Sequence, residues 1–400
     1  MTAPSGFSQD RLQRIPAFLQ GRVKAGLLPG ALTLIWRRGG IAHQSLVGSM
    51  DIARATPMRE DAIFRLYSMT KPVTTVALLM LMEQGLIALD DPVAKFIPSF
   101  ANLKLQNGPA PQRAMTVLDL LRHTSGLTYG FHNRTAIDAA YRAQRVGEFD
   151  TEGGLAGMIA QLEKLPLEYS PGEAWIYSVA TDVAGYLVQL VSGQPYAGFV
   201  REKILKPLQM RDSDFVVNGA SCERFSACYA LKDGKLDLFD DPRNSPWFSS
   251  PKLESGGGGL TGTAQDYLRF CRMLLNKGEL DGARLLSPKT VALMTVNHLP
   301  GGKEITDLSP AGSTFTESGY HGIGFGLGVG VTLDPAKVGI PGTAGEFTWG
   351  GVASTTFFVD PKEDMAVVFM TQVILDTPQR VRLRRDLRTL IYSAMTESHA

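Results

Sequence analysis

The chain has 400 residues, 44% hydrophobic and 20% charged, with a formal net charge of +1. Those proportions belong to an ordinary globular protein with a sizeable core, and they exclude a disordered chain and the basic bias of a nucleic-acid or membrane-surface binder. Three cysteines, Cys222, Cys228 and Cys271, show no metal-ligand spacing and are odd in number, which points to free thiols and a cytoplasmic location.

The opening MTAPSGFSQDRLQRIP lacks a basic stretch followed by an apolar one, so no secretory leader is expected. The apolar runs elsewhere are too short to cross a bilayer. Residues 8–25 read as an amphipathic helix with Leu12, Ile15, Phe18, Leu19 and Val23 on one face. Residues 31–37 and 41–47, joined by Gly39 and Gly40, read as a β-hairpin. Next comes FRLYSMTKPVTTVALLML, residues 64–81, where the apolar run predicts a buried helix and Pro72 places its start near Ser68.

From about residue 90 the texture turns helical, with segments at 117–123, 136–146, 155–165 and 181–191. Residues 209–252 are polar and hard to read. After SGGGG, residues 255–259, Thr263 is a plausible N-cap for a helix to Asn276, and Ser287-Pro288 signals another. Strands follow at 322–332, 347–350, 355–360 and 365–371, and a basic amphipathic helix closes the chain from 377 to about 395. The implied fold is α/β (α+β): an antiparallel sheet built from both ends of the chain, residues 1–90 and 253–400, and a mainly helical part at 91–252. The default site is the cleft between the two.

Ser68 and Lys71 share a helix face, so the ammonium can reach back over the hydroxyl, as a base beside a nucleophile. An N-cap serine with a solvated lysine is the bland reading, and SSPK at Ser249 and Lys252 has the same spacing in an apparent loop. An ordinary ammonium is charged at neutral pH, so acting as a base requires burial and a second titrating group. Tyr177 in PGEAWIYSV, just before a helix, is the best partner, although a lone tyrosine is more often a half-buried amphipath. Asp182, one turn further on, either ties down this region or, on the simpler reading, is a solvated N-terminal carboxylate. The paired glycines of Trp349-Gly350-Gly351 mark either a bulge or a place where an ester carbonyl approaches the backbone. In the second case the N–H groups of Ser68 and Val352 are the candidate oxyanion hole.

Ser68-Met69-Thr70-Lys71, Tyr177-Ser178-Val179 and Trp349-Gly350-Gly351, in this order, resemble the three motifs of serine β-lactamase-fold enzymes, S-x-x-K, Y-x-N and K-T-G. LLRHTSGL, SGGGGLTGTAQDYLRF and GIGFGLGV are also typical of that superfamily. Trp349 and Gly350 offer neither the lysine nor the hydroxyl that binds a carboxylate in penicillin-recognising relatives, and Val179 replaces an amide. The resemblance is therefore to the family VIII carboxylesterases, and it implies a small-molecule ester substrate. It also implies that Ser68 is the acylated nucleophile, Lys71 and Tyr177 the base and proton carrier, and Trp349 a pocket wall beside Gly350 and Gly351. A β-lactamase or D-amino-acid peptidase, an acyltransferase, and a catalytically dead relative are the alternatives. No G-x-S-x-G elbow occurs, the six histidines show no metal spacing, and the glycine runs are not nucleotide loops, so neither metal nor cofactor is expected. His123 reads as structural.

Overall fold

The computed structural model describes residues 5–106, 108–310 and 321–399. The first four residues of the opening that was searched for a leader lie outside the described residues. Among those described, no helix is long and apolar enough to cross a membrane.

The two ends of the chain meet in one eight-stranded sheet. Its order is Ile323–Phe325, Gly330–Thr332, Phe347–Gly350, Thr356–Asp360, Met365–Met370, Gly30–Arg37, Gly40–Asp51 and Thr56–Pro57. Every neighbouring pair is antiparallel. An early strand thus pairs with a late one, Leu32 facing Met370 and Arg37 facing Met365.

The unbroken apolar run MAVVFM explains why this pairing is central. Successive side chains point to opposite faces of a strand, and here both faces are covered. Ala366, Val368 and Met370 join Leu32 and Leu34 in the core shared with the helical part. Met365, Val367 and Phe369 join Ala31 and Ile35 beneath the helices Arg14–Lys24 and Thr377–Ser393, which supply Ile15, Leu19, Leu383, Leu387 and Ile391. Each large apolar side chain so buried contributes roughly 1.5–3 kcal/mol before entropy is charged against it.

On the helical side of the sheet, every residue of the Thr70–Glu83 helix from Thr70 to Leu79 is buried. Two of its threonines bond to the glycine-rich segment: Thr74 Oγ1 donates to the Gly256 carbonyl at 2.7 Å, and Thr70 Oγ1 accepts from the Leu260 amide at 3.0 Å. The helix packs against Ala180–Ser192. The other predicted helices of this part appear as Val117–Leu121, Ala136–Ala143 and Gly154–Leu162. Capping boxes, Thr116 with Asp119 and Thr135 with Asp138, start the first two of these.

Two expectations are corrected. The single strand over 322–332 is in fact the hairpin Ile323–Phe325 and Gly330–Thr332, turned at Gly328, whose φ of 74° suits glycine. The polar stretch before residue 252 also contains a hairpin, Cys228–Lys232 with Lys235–Asp240, and Val373–Ile374 adds to it in parallel. Its second strand is largely exposed, with Leu238 and Phe239 48% and 57% accessible, so no buried face wrote an alternation into the sequence.

Candidate active site

Ser68 sits in a single 3-10 turn, Tyr67–Met69, that runs into the Thr70–Glu83 helix. Pro72 is the third residue of that helix, where an N–H has no intrahelical acceptor, so it interrupts nothing. Tyr67 has a φ of 46°, in the left-handed region that costs a non-glycine residue roughly 1 kcal/mol. The turn is held by Thr70 Oγ1, which donates to the Tyr67 carbonyl at 2.7 Å, and by Trp247, whose ring meets the Tyr67 ring edge-on at 5.9 Å.

Lys71 is 1% exposed. Its Nζ donates to the Gly257 carbonyl at 2.7 Å, to the Tyr129 hydroxyl at 3.1 Å and to Ser68 Oγ at 3.5 Å. The ring of Tyr177 is centred 4.5 Å from the same nitrogen. Tyr177 is wedged among the rings of His123 at 4.9 Å, Tyr129 at 5.4 Å and Trp349 at 5.5 Å. Its carbonyl accepts from His132 Nε2 at 2.6 Å. Ser68, Lys71, Tyr177 and Trp349, scattered over nearly three hundred residues of chain, therefore converge.

Trp349 and Gly350 end the strand Phe347–Gly350, and Gly351 and Val352 begin the turn after it. What approaches Gly350 is the Arg384 guanidinium, which donates to the carbonyls of Gly351 at 2.9 Å and Thr355 at 2.8 Å. At Gly351 it is the Leu66 carbonyl, 2.5 Å from where a Cβ would stand. Gly351 thus seats this strand end against the segment leading into Ser68, and Gly350 seats it against the C-terminal helix. Val352 is half-buried, and no acceptor for its amide appears among the described residues.

Sequence reasoning missed three groups here. Tyr129, two residues beyond LLRHTSGL, was given no role, yet its hydroxyl touches Lys71. Gly257 of SGGGG supplies the carbonyl nearest the ammonium. Asp182, read as solvated, is instead 2% exposed and accepts from Ser255 Oγ at 2.5 Å and the Gly257 amide at 2.9 Å. A Cβ on Gly257 would lie 2.5 Å from Asp182 Oδ2 and 2.9 Å from the Tyr129 hydroxyl, so only glycine fits between them. The signal was the pairing of a glycine run with an acid at a helix start, features that are unremarkable separately.

Burial shapes the charges. It raises Asp182 above the ordinary carboxylate range, against the pull of Lys71. Burial, followed by the Asp182 charge, pushes the Tyr129 phenol well up. Burial and then the Lys71 charge hold His123 well below the usual imidazole range, which keeps it neutral. The decoy pair behaves differently: Ser249 and Lys252 are both exposed, and Lys252 pairs with Glu152.

Comparison with known proteins gives the family and the fold. The family model described as Beta-lactamase matches residues 15–390. Protein Rv1367c of Mycobacterium tuberculosis (strain ATCC 25618 / H37Rv) is 36% identical over 359 residues, covering 87% of this chain and 86% of that protein. Esterase EstB of Burkholderia gladioli is 32% identical over 394 residues, covering 92% and 93%. Among solved structures, EstCE1, described as a hydrolase with promiscuous acyltransferase activity, superposes with a TM-score of 0.81 at 26% identity, covering 96% of this chain and 98% of that one. The chain belongs to the β-lactamase family, and within that superfamily its likeness is to the family VIII esterases.

Proposed function

We propose that this chain is a serine carboxylesterase that hydrolyses short-chain carboxylic esters through an acyl-enzyme on Ser68. One observation carries the reading: a fully buried lysine nitrogen 3.5 Å from a half-buried serine hydroxyl, beneath the ring of Tyr177. In this mechanism Lys71 takes the Ser68 proton as Oγ attacks the ester carbonyl, and the amides of Ser68 and Val352 hold the developing oxyanion. Tyr177 carries a proton to the leaving alkoxide, and then helps activate the water that releases the acid.

The surroundings favour a neutral, small substrate. Trp349, Phe325 and Tyr177 form an apolar wall, with Trp349 edge-on to Phe325 at 5.2 Å. An apolar hollow of about 190 Å³ is lined by Phe149, Phe215, Pro246, Trp247, Lys252 and Gly259, and Trp247 links it to the Ser68 turn through its ring contact with Tyr67. Cys222, Cys228 and Cys271 form no disulfide, which supports a reducing, cytoplasmic setting.

The test is turnover of short-chain aryl esters beside a chromogenic cephalosporin, together with labelling by a phosphonate ester. Ester turnover that is lost in Ser68→Ala, with the phosphonate on Ser68, is expected. Cephalosporin turnover without ester turnover sinks the esterase reading, and ester turnover surviving Ser68→Ala misassigns the nucleophile. Acyl transfer is the second reading, favoured by the description of EstCE1, and it is scored by adding an alcohol acceptor and measuring the new ester.

A further inference from the structure

Lys71 can accept the Ser68 proton only if it arrives without one of its own, and burying a lone free amine or a lone ammonium leaves that proton unaccounted for. Three groups surround its nitrogen: Ser68 Oγ, the Gly257 carbonyl and the Tyr129 hydroxyl. A carbonyl can take no proton, and the serine is the nucleophile. The Tyr129 hydroxyl is the remaining exit, and beyond it lies the buried carboxylate of Asp182: Asp182 Oδ2 and the phenol oxygen stand 2.5 and 2.9 Å from one point, the place a Cβ on Gly257 would occupy.

We propose that Asp182 is the proton store for Lys71, reached through the Tyr129 hydroxyl, and that this pair of positioning residues keeps the lysine available as a base. The step balances. An Nζ–H proton passes to the Tyr129 oxygen as the phenol's own proton passes to Asp182 Oδ2, and the nitrogen keeps the electron pair. Ammonium and carboxylate become amine and carboxylic acid, and the net charge of the site does not change. Asp182 Oδ1 is occupied by Ser255 and the Gly257 amide, which leaves Oδ2 turned to the phenol across the bare Cα of Gly257. Burial that raises Asp182 makes the acid form accessible.

The other titratable groups facing this pair do not serve as the store. His123, beside Lys71, is kept neutral by burial. Tyr177 presents its ring face to the nitrogen. Tyr196, facing Asp182, is bonded to Thr74 Oγ1 at 2.6 Å and pushed up by burial. This inference rests on the Ser68 and Lys71 reading above.

The experiment is the pH profile of kcat/KM for an aryl ester between about pH 6 and 10 in wild type, Tyr129→Phe and Asp182→Asn, with folding checked by circular dichroism. An internal proton shift needs no exchange with solvent, so the wild-type profile is level through neutrality. In Tyr129→Phe the lysine keeps its carboxylate but loses the route, so it is freed only by releasing a proton to solvent. Its kcat/KM should climb by about tenfold per pH unit and recover at high pH. Asp182→Asn should climb too, over a lower range, because no carboxylate then holds the ammonium. If Asp182→Asn does not fold, Tyr129→Phe decides alone. Profiles parallel to wild type but scaled down show a structural role and overturn the proposal, as does a loss that high pH does not restore. Ester turnover surviving Ser68→Ala would instead overturn the nucleophile assignment, so the two failures are distinguishable.

Discussion

The carbonyl of Gly257 accepts Lys71 Nζ at 2.7 Å, nearer than the 3.5 Å between that nitrogen and Ser68 Oγ. A backbone carbonyl is thus the fixed anchor of Lys71, and Ser68, the proposed nucleophile, is the looser contact. Since a carbonyl only accepts, the nitrogen's lone pair, once free, must point elsewhere, and the serine is among its remaining neighbours. Gly257→Ala should upset this aim, because the new Cβ would lie 2.5 Å from Asp182 Oδ2. Misplacing a reacting group by around 1 Å costs about 100-fold. The expected result is a fall of that order in kcat on a short-chain ester, measured at saturating substrate.

Tyr177→Phe removes a hydroxyl but keeps the ring that packs on His123 and Trp349. A drop in kcat of about 100- to 10,000-fold, with thermal midpoint nearly unchanged, is expected of a lost proton carrier. Wild-type turnover in this variant would pass the role to another group, with Tyr129 the first to examine.

Gly350→Ala should act on stability. The added Cβ would collide with the Arg384 guanidinium and lie 2.6 Å from the Thr355 carbonyl. Both belong to the contact that ties the C-terminal helix to this strand end. Overpacking of this kind costs about 1–3 kcal/mol, read as a lower urea midpoint at unchanged slope.

Acid should loosen the helical part through Asp119. Its carboxylate is fully buried and accepts from Arg113, Arg122, Thr116 and Thr124. Burial alone would raise it, but the Arg113 bond and the Thr116 amide outweigh burial and bring it down to about 2. The folded state therefore binds this proton more weakly than the unfolded chain does, so the stabilisation is present above about pH 4 and is lost as pH falls toward 2. It is of the order of 2 kcal/mol. Urea melts across that range should show less pH dependence in Asp119→Asn than in wild type.

Local patterns in the chain were enough to mark Ser68, Lys71, Tyr177 and Trp349, since each lies in a short motif with its own spacing or punctuation. The central strands and the buried helix were equally legible, because an apolar run such as MAVVFM or VALLML carries its burial in its composition. The exposed hairpin at Cys228–Asp240 carried no such mark, and the turn at Gly328 was hidden inside a strand-like run.

By itself, then, the sequence picked out the side chains proposed here to carry the chemistry, and implied that both ends of the chain build one sheet. Only the tertiary structure decided how Lys71 is held. Tyr129, Asp182 and Gly257 come from three separate segments, and none has a local signature, because a phenol, an acid at a helix start and a glycine are ordinary until folding removes water from around them. Once buried, an unpaired charge is too costly to keep, so which groups face one another at about 3 Å settles where each proton can go.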